Sequence, residues 1–280
     1  MQIFNDRRSL EAWVTKQKST QSSIGFVPTM GALHPGHLSL ISKSISQNDV
    51  TICSVFVNPT QFENKDDLEK YPRDTQKDID LLSETGCDAV FMPAVQDMYP
   101  EELAATSFDF GGIENLMEGR FRKGHFDGVA TIVSRFFDLI QPNKAYFGEK
   151  DFQQLRIIQE LVKQKYPRIE IVPMPIQREK NGLALSSRNA RLTPEYLESA
   201  PQIYRLLNFL RDWRYDYSVP ETIHKAEEFF IKSNLDLEYL MICDEKTLEP
   251  ITSWDEADDI RAFIAVYAGD IRLIDNLKII

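Results

Sequence analysis

Cysteine and histidine are scarce in this chain, at three and four of 280 residues. Cys53, Cys87 and Cys243 are scattered, and Cys53 and Cys243 sit inside apolar, strand-like runs. They read as small buried hydrophobes rather than a disulfide framework, which fits a reducing compartment, the cytoplasm. No apolar run reaches the length of a membrane crossing and no secretory leader is recognisable, so no membrane partner is expected. Positive charge is also short: 32 Lys and Arg against 43 Asp and Glu leave a net charge of −11 at pH 7. That balance argues against nucleic-acid binding, which relies on a positive footprint. Internal repeats and low-complexity segments are missing too. A hydrophobic content of 42% remains, enough for real cores in one large or two medium domains.

The order of short apolar runs gives the architecture. Residues 24–28, 50–57, 88–92 and 144–147 are rich in β-branched or aromatic side chains. Helical periodicity fills 37–47, 73–85, 128–140 and 151–165 between and after them. Ile169 to Val172 adds a strand before Pro173 and Pro175. Strands alternating with helices predict an α/β fold, a parallel, Rossmann-like sheet with helices on both faces. After Pro175 the texture changes. Asn181-Gly182 signals a turn. One helix is expected from Pro194 to Trp213, with Thr193 as its N-cap, and another from Glu221 to Lys232. Strand-like runs follow at 237–243, 262–268 and 271–274. The expectation is a first domain over 1–175 and a smaller C-terminal α+β domain over 176–280.

Ligands of such sheets bind at the carboxyl ends of the strands, and three polar clusters fall there. Met30-Gly31-Ala32-Leu33-His34-Pro35-Gly36-His37 follows the first run and opens a helix. A helix N-terminus offers unpaired N–H groups and a positive dipole end, Gly36 permits close approach, and two imidazoles can donate to phosphate oxygens. A structural turn is the bland alternative. Metal ligation is another, but no cysteine lies nearby and the only other histidines are His125 and His224. Asn58-Pro59-Thr60-Gln61-Phe62 follows the second run, where Gln61 can both donate and accept. Gly148-Glu149-Lys150-Asp151 follows the fourth, with Lys150 suited to a pyrophosphate and Asp151 to orienting it. An ordinary acidic helix start fits the same residues.

Other clusters are weaker alone. Leu185-Ser186-Ser187-Arg188-Asn189 puts two hydroxyls and a guanidinium in a loop able to close over phosphate. Gln154 shares a helix side with Asp151. Tyr71-Pro72-Arg73-Asp74 leads into a helix capped by Asp74. Asp78 and Asp80 then read as a solvated acidic face, with Mg²⁺ ligation as the sharper alternative. Arg120 to Phe126 is the one basic patch of an acidic chain and would attract an anionic substrate, if it is not simply a surface loop.

Taken in order, Pro28 to His37, Val57 to Phe62, Tyr71 to Asp74, Phe147 to Gln154, Leu185 to Asn189 and the closing Arg272-Leu273-Ile274-Asp275-Asn276 closely resemble the pantoate–β-alanine ligase family. The His-x-Gly-His element alone is shared with a wider superfamily of nucleotidyltransferases and class I aminoacyl-tRNA synthetases. The resemblance implies ATP-dependent condensation of pantoate with β-alanine to pantothenate, through a pantoyl-adenylate, with release of AMP and pyrophosphate. It places Met30 to His37, Gly148, Glu149, Lys150, Asp151, Gln177 and Leu185 to Arg188 on ATP. His34, His37, Lys150, Ser186, Ser187 and Arg188 would carry the phosphate chemistry, with His37 as proton donor. Gln61 and Gln154 would hold pantoate, and Gln61, Tyr71 and Arg122 would line the β-alanine side. It implies Mg²⁺ with ATP, Asp78 near that ion, and a cytoplasmic homodimer. Lys77 stands where some relatives carry an acid.

The implied chemistry suits these residue types. A carboxylate needs no general base to attack the α-phosphorus; it needs in-line placement and neutralisation of the departing pyrophosphate. Two other readings stay open: a nucleotidyltransferase that leaves AMP on its product, and a nucleotide-binding sensor without turnover.

Overall fold

The computed structural model describes every residue except Asn64 and Lys232. It divides into two compact units, Met1–Glu149 with Gln153–Pro175, and Lys150–Phe152 with Ile176–Ile280.

The first unit is built on one sheet of β1 (Gln2–Phe4), β2 (Ile24–Thr29), β3 (Val50–Val55), β4 (Ala89–Phe91), β5 (Lys144–Gly148) and β6 (Glu170–Met174). Their order is β1-β4-β3-β2-β5-β6 and every pairing is parallel. Among its helices are α1 (Arg7–Ser19), α2 (Pro35–Gln47), α3 (Lys65–Lys70), α4 (Thr75–Thr85), α5 (Val95–Met98), α6 (Met117–Phe121), α7 (His125–Ile140) and α8 (Phe152–Lys165). Successive strand residues face opposite sides. Phe26 packs against Phe136 and Phe137 of α7, at ring centroids 5.5 and 6.4 Å apart. Its neighbour Val27 joins Cys53, Val90 and Tyr146 in a core against Leu40 and Ile41 of α2 and Leu82 of α4. Helices thus cover both faces. Strands buried on both sides must read as continuous apolar runs, which is why they stand out in the sequence.

From β2 the chain steps outward through β3 to β4, on which the first strand β1 also pairs, then returns to place β5 on the other side of β2. The switch point of the sheet therefore lies between β2 and β5, and the crevice beyond their carboxyl ends is where such sheets bind ligands.

Among the differences from the expected elements, three stand out. β1 and α1 precede residue 24, where no element is expected; α1 buries only Leu10, Trp13 and Val14, a stripe too narrow to stand out. β6 runs through Pro173 to Met174, because an edge strand can spare the missing N–H. The single helix expected from Pro194 to Trp213 is two, α9 (Pro194–Ser199) and α10 (Gln202–Trp213), parted at Pro201. Proline has no N–H to continue the ladder, and its ring clashes with the preceding turn.

The second unit holds α9, α10 and α11 (Val219–Ile231) with an antiparallel sheet of β7 (Asp236–Asp244), β8 (Ile260–Ala268) and β9 (Ile271–Lys278), ordered β7-β8-β9. Lys232, where the last helix is expected to end, lies outside the described residues. Leu206, Leu207 and Leu210 of α10 and Phe230 of α11 pack on Ile242, Ile264, Val266 and Leu273. Each such side chain contributes about 1.5–3 kcal/mol when fully buried. The three cysteines are buried and unpaired. Burial pushes the Cys87 thiol up to about 11 and the Cys243 thiol up to about 12, so neither is a ready thiolate. Among the described residues no helix is long and apolar enough to cross a membrane.

Candidate active site

The turn after β2 is held from three sides. Thr29 Oγ1 donates to Ser54 O at 2.6 Å and accepts from Gly31 N at 3.2 Å. Gly31 and Ala32 then take positive φ angles of 80° and 50°. At Gly31 a Cβ would also stand 2.8 Å from Asp78 Oδ2, so the position requires glycine. Asp78, only 1% exposed, accepts from Ala32 N through Oδ2 at 2.9 Å and from Leu33 N through Oδ1 at 2.7 Å. It is therefore not part of a solvated acidic face, unlike Asp80, which is exposed and accepts from Gln76 Nε2 at 2.8 Å. Burial pushes the Asp78 carboxyl up from the usual carboxylate range, while the N–H groups of Leu33 and Ala32 hold it down.

Beyond the clamp, His34 is the N-cap of α2 and Pro35 its first residue. Gly36 N donates to His34 Nδ1 at 3.1 Å, which leaves the ring proton on Nε2 as a donor. The rings of His34 and His37 lie 4.0 Å apart at 36°, both half-buried. Two imidazoles and the α2 N-terminus thus share one small region at the carboxyl end of β2. Gly148-Glu149 ends the neighbouring strand β5 across the switch point.

The carboxyl end of β3 carries a buried amide network. Gln61 is 8% exposed and Asn58 1%. Asn58 Nδ2 donates to Gln61 Oε1 at 3.2 Å and to Gly128 O at 3.1 Å. Asn58 Oδ1 accepts from Tyr99 OH at 2.6 Å and from Thr60 Oγ1 at 3.1 Å. His125 Nδ1 donates to Gln61 O at 2.8 Å, and Gln61 Nε2 meets Met30 Sδ. Gly128 lets α7 come this close, since a Cβ there would stand 2.3 Å from Thr60 O. Gln61 is therefore a fixed amide and no exposed loop residue. Tyr71 is buried edge-on to Phe62, with ring centroids 5.7 Å apart.

Arg122 Nη1 lies 3.6 Å from Glu118 Oε2. Gln153 accepts from Glu118 N at 3.0 Å and donates to the carbonyls of Ile113 and Leu116 at 2.7 and 2.8 Å, while Gln154 is half-buried beside it. The basic patch opens on a cavity of about 480 Å³ lined by Arg120, Arg122, Lys123, Asp127 and Phe108 among others.

Within the second unit, residues 177–185 form a tight hairpin. Leu185 N donates to Gln177 O at 2.9 Å, Arg178 bridges Ala184, and Gly182 N closes on Glu179 O at 2.9 Å. Gln177 itself is exposed. The stretch expected as a loop is partly helical: Ser187–Arg191 is a 3₁₀ turn capped by Ser186, whose Oγ accepts from Arg188 N at 3.2 Å, and Asn189 Nδ2 ties it to Ala184 O at 3.0 Å. Ser186 to Arg188 are half-buried, as is Lys150, whose Nζ lies 3.9 Å from Asp151 Oδ2.

Sequence reading missed Asn58, Tyr99, His125 and Gln153 as members of these networks, and the part Asp78 plays. Asn58 is in plain view beside Gln61; the others act through partners dozens of residues away.

A family model described as pantoate-beta-alanine ligase matches residues 2–278. Proteins named pantothenate synthetase from Porphyromonas gingivalis and Bacteroides thetaiotaomicron are each 46% identical, over 99% of this chain and 99% of their own. The pantothenate synthetase structure from Thermus thermophilus superposes with a TM-score of 0.92 at 41% identity, over 100% of this chain and 99% of that one. The Francisella tularensis pantoate-beta-alanine ligase, solved with beta-gamma ATP and beta-alanine, gives 0.83 at 37% identity, over 100% and 98%. A full-length family match and relatives of this identity agree with the geometry at the switch point: the chain belongs to the pantoate-beta-alanine ligase family.

Proposed function

We propose that the chain joins pantoate to β-alanine at the expense of ATP, forming pantothenate, AMP and pyrophosphate through a pantoyl-adenylate. The observation that carries this is the meeting of two imidazoles, a helix N-terminus and a fixed glutamine at the carboxyl ends of β2 and β3, beside the switch point.

Pantoate, held by Gln61 and Gln154, attacks the α-phosphorus with its carboxylate. A carboxylate–phosphorus bond forms and the bond to pyrophosphate breaks. His34 Nε2–H, His37 as proton donor, Lys150, Ser186, Ser187, Arg188 and backbone N–H groups from Met30 to His37 neutralise the departing charge. Gly148 to Asp151, Gln177 and Leu185 hold the rest of the nucleotide. The β-alanine amine, as the free base, then attacks the acyl carbon; the bond to AMP breaks and the amine proton is released. Tyr71, Arg122 and Gln61 line that side. No enzyme nucleophile is needed because the adenylate is already activated, which suits cysteines held as thiols.

Magnesium enters as part of the nucleotide substrate. Asp78, the acid assigned near that ion, has its two oxygens engaged by the N–H groups of Ala32 and Leu33, and among the described residues no group of three His, Cys, Asp or Glu could hold a metal. Asp78 is thus better fitted to shape the turn than to ligate a cation. The same reading makes the enzyme a cytoplasmic homodimer whose first domain, 1–175, takes nucleotide and pantoate, with 176–280 as the smaller domain. It binds no nucleic acid, as the net charge of −11 supports.

Incubation with ATP, pantoate and β-alanine tests the proposal. AMP and pyrophosphate should appear in step with pantothenate, and only when all three are present. A stable adenylylated product without free AMP marks a nucleotidyltransferase instead, and nucleotide binding without turnover marks a sensor.

A further inference from the structure

The closing Arg272-to-Asn276 motif has no place in the chemistry above, yet Asp275 and Asn276 are 4% and 1% exposed in the second unit. Asn276 Nδ2 donates to Lys150 O at 3.0 Å across 126 residues of sequence. Its Oδ1 accepts from Arg261 Nη1 at 2.6 Å, and the Arg261 guanidinium lies 4.0 Å over the ring of Phe152. Phe152 in turn packs on Phe263 of β8, at ring centroids 5.8 Å apart. These contacts fasten Lys150–Phe152 to the β8–β9 sheet.

The preceding residue serves the other phosphate-facing segment. Arg178 holds Asp275 with both arms of its guanidinium, at 2.6 and 2.9 Å, and donates to Asn276 O at 3.3 Å. Arg178 also donates to Gly182 O at 3.2 Å and lies 3.9 Å over the ring of Tyr204. It therefore fixes the hairpin that delivers Ser186, Ser187 and Arg188. One dipeptide of β9 braces the backbone of Lys150 and the base of the serine–arginine segment together.

We propose that Asp275 and Asn276 are positioning residues for the nucleotide phosphates, setting Lys150 and the 186–188 segment in register with each other; this rests on the assignment of those segments to ATP. A lysine reaches its ligand as a point charge on a flexible stem, so its aim depends on where its backbone is held. A misplacement of about 1 Å can cost about a hundredfold in rate.

Asn276→Asp isolates the role. It keeps an oxygen for Arg261 and exchanges the donor toward Lys150 O for a second acceptor. In the full-length protein, calorimetry with a β,γ-imido analogue of ATP should show binding weaker by about tenfold or more, with an unchanged circular-dichroism spectrum. In turnover, KM for ATP should rise by a like factor while KM for pantoate and β-alanine stays within about twofold. A folded variant with wild-type ATP binding, or with all three substrates affected alike, overturns the proposal. Should Asn276→Asp fail to fold, Arg178→Lys, which keeps the charge and loses the fork, is judged by the same selectivity; collapse of both variants makes the network a folding element and also overturns it. Wild-type protein that binds the analogue but makes no AMP defeats the functional reading alone, because the binding comparison still decides this one.

Discussion

The turn after β2 and the hairpin over 177–185 both adjoin groups proposed to bind the nucleotide, yet they are held by opposite chemistry. Asp78 holds the turn through two backbone N–H groups. The hairpin is held by a guanidinium–carboxylate fork between Arg178 and Asp275. A carboxylate on N–H groups fixes main chain alone and engages no side chain of the turn. The fork brings two charges out of water, and their attraction offsets that penalty only while both partners remain. Burial pushes Asp275 up from the usual carboxylate range and Arg178 counters it, so this carboxylate is sustained by its cation. The first anchor should therefore yield gradually when altered, and the second abruptly.

Arg178→Ala should have the largest effect. It strands Asp275, and breaking a buried pair this way typically costs about 3–5 kcal/mol, read as a lower midpoint in urea. A loss under about 1 kcal/mol would erase the contrast between the anchors. Next come His37→Ala and Lys150→Ala. Each should cut pyrophosphate release by at least about a hundredfold, in line with the roughly 3–4 kcal/mol lost with one transition-state donor, while the protein stays folded. Pyrophosphate release near the wild-type rate in either variant removes that residue from the phosphate chemistry.

Asp78→Asn should be milder. One N–H of the turn would face an amide N–H₂, and a buried donor left unsatisfied costs about 1–3 kcal/mol. The same variant tests the titration. The folded-state value of Asp78 is raised above 3.8, so just above that pH the folded chain holds more protons than the unfolded one. The stability contribution from this group therefore falls as pH rises through that window. Replacing it with an uncharged amide should flatten the urea-stability profile just above pH 3.8 relative to wild type. An unchanged profile would mean that Asp78 does not titrate there. Thr193→Ala should have the smallest effect. It removes the cap on α9, where Tyr196 N donates to Thr193 Oγ1 at 3.4 Å, and lies outside both anchors. About 1 kcal/mol of stability should be lost with ATP kinetics unchanged. A change in KM for ATP there would show that the second unit transmits any destabilisation to the site, and the anchors would lose their special standing.

Much of the fold is legible in the sequence because the signals are local. Strands buried on two faces announce themselves as apolar runs, and Gly31, Pro35 and Gly36 announce the turn. Asp74 is readable as a cap and accepts from Lys77 N at 3.1 Å. The break at Pro201 is equally local, but apolar periodicity on both sides of the proline masks it.

Residue order alone thus settles the alternation of strands and helices, the placement of polar clusters at strand ends, and a succession of motifs specific to one family. Each follows from residues within a few positions of one another, where propensity, capping and periodicity act. Folding in three dimensions was needed to make Asp78, 45 and 46 positions from its partners, a buried clamp, and to let Asp275, 97 positions from Arg178, close the hairpin. Such pairs carry no local signature: an aspartate on a polar helix reads as solvated until the fold removes water from around it, and only then do its hydrogen bonds become obligatory.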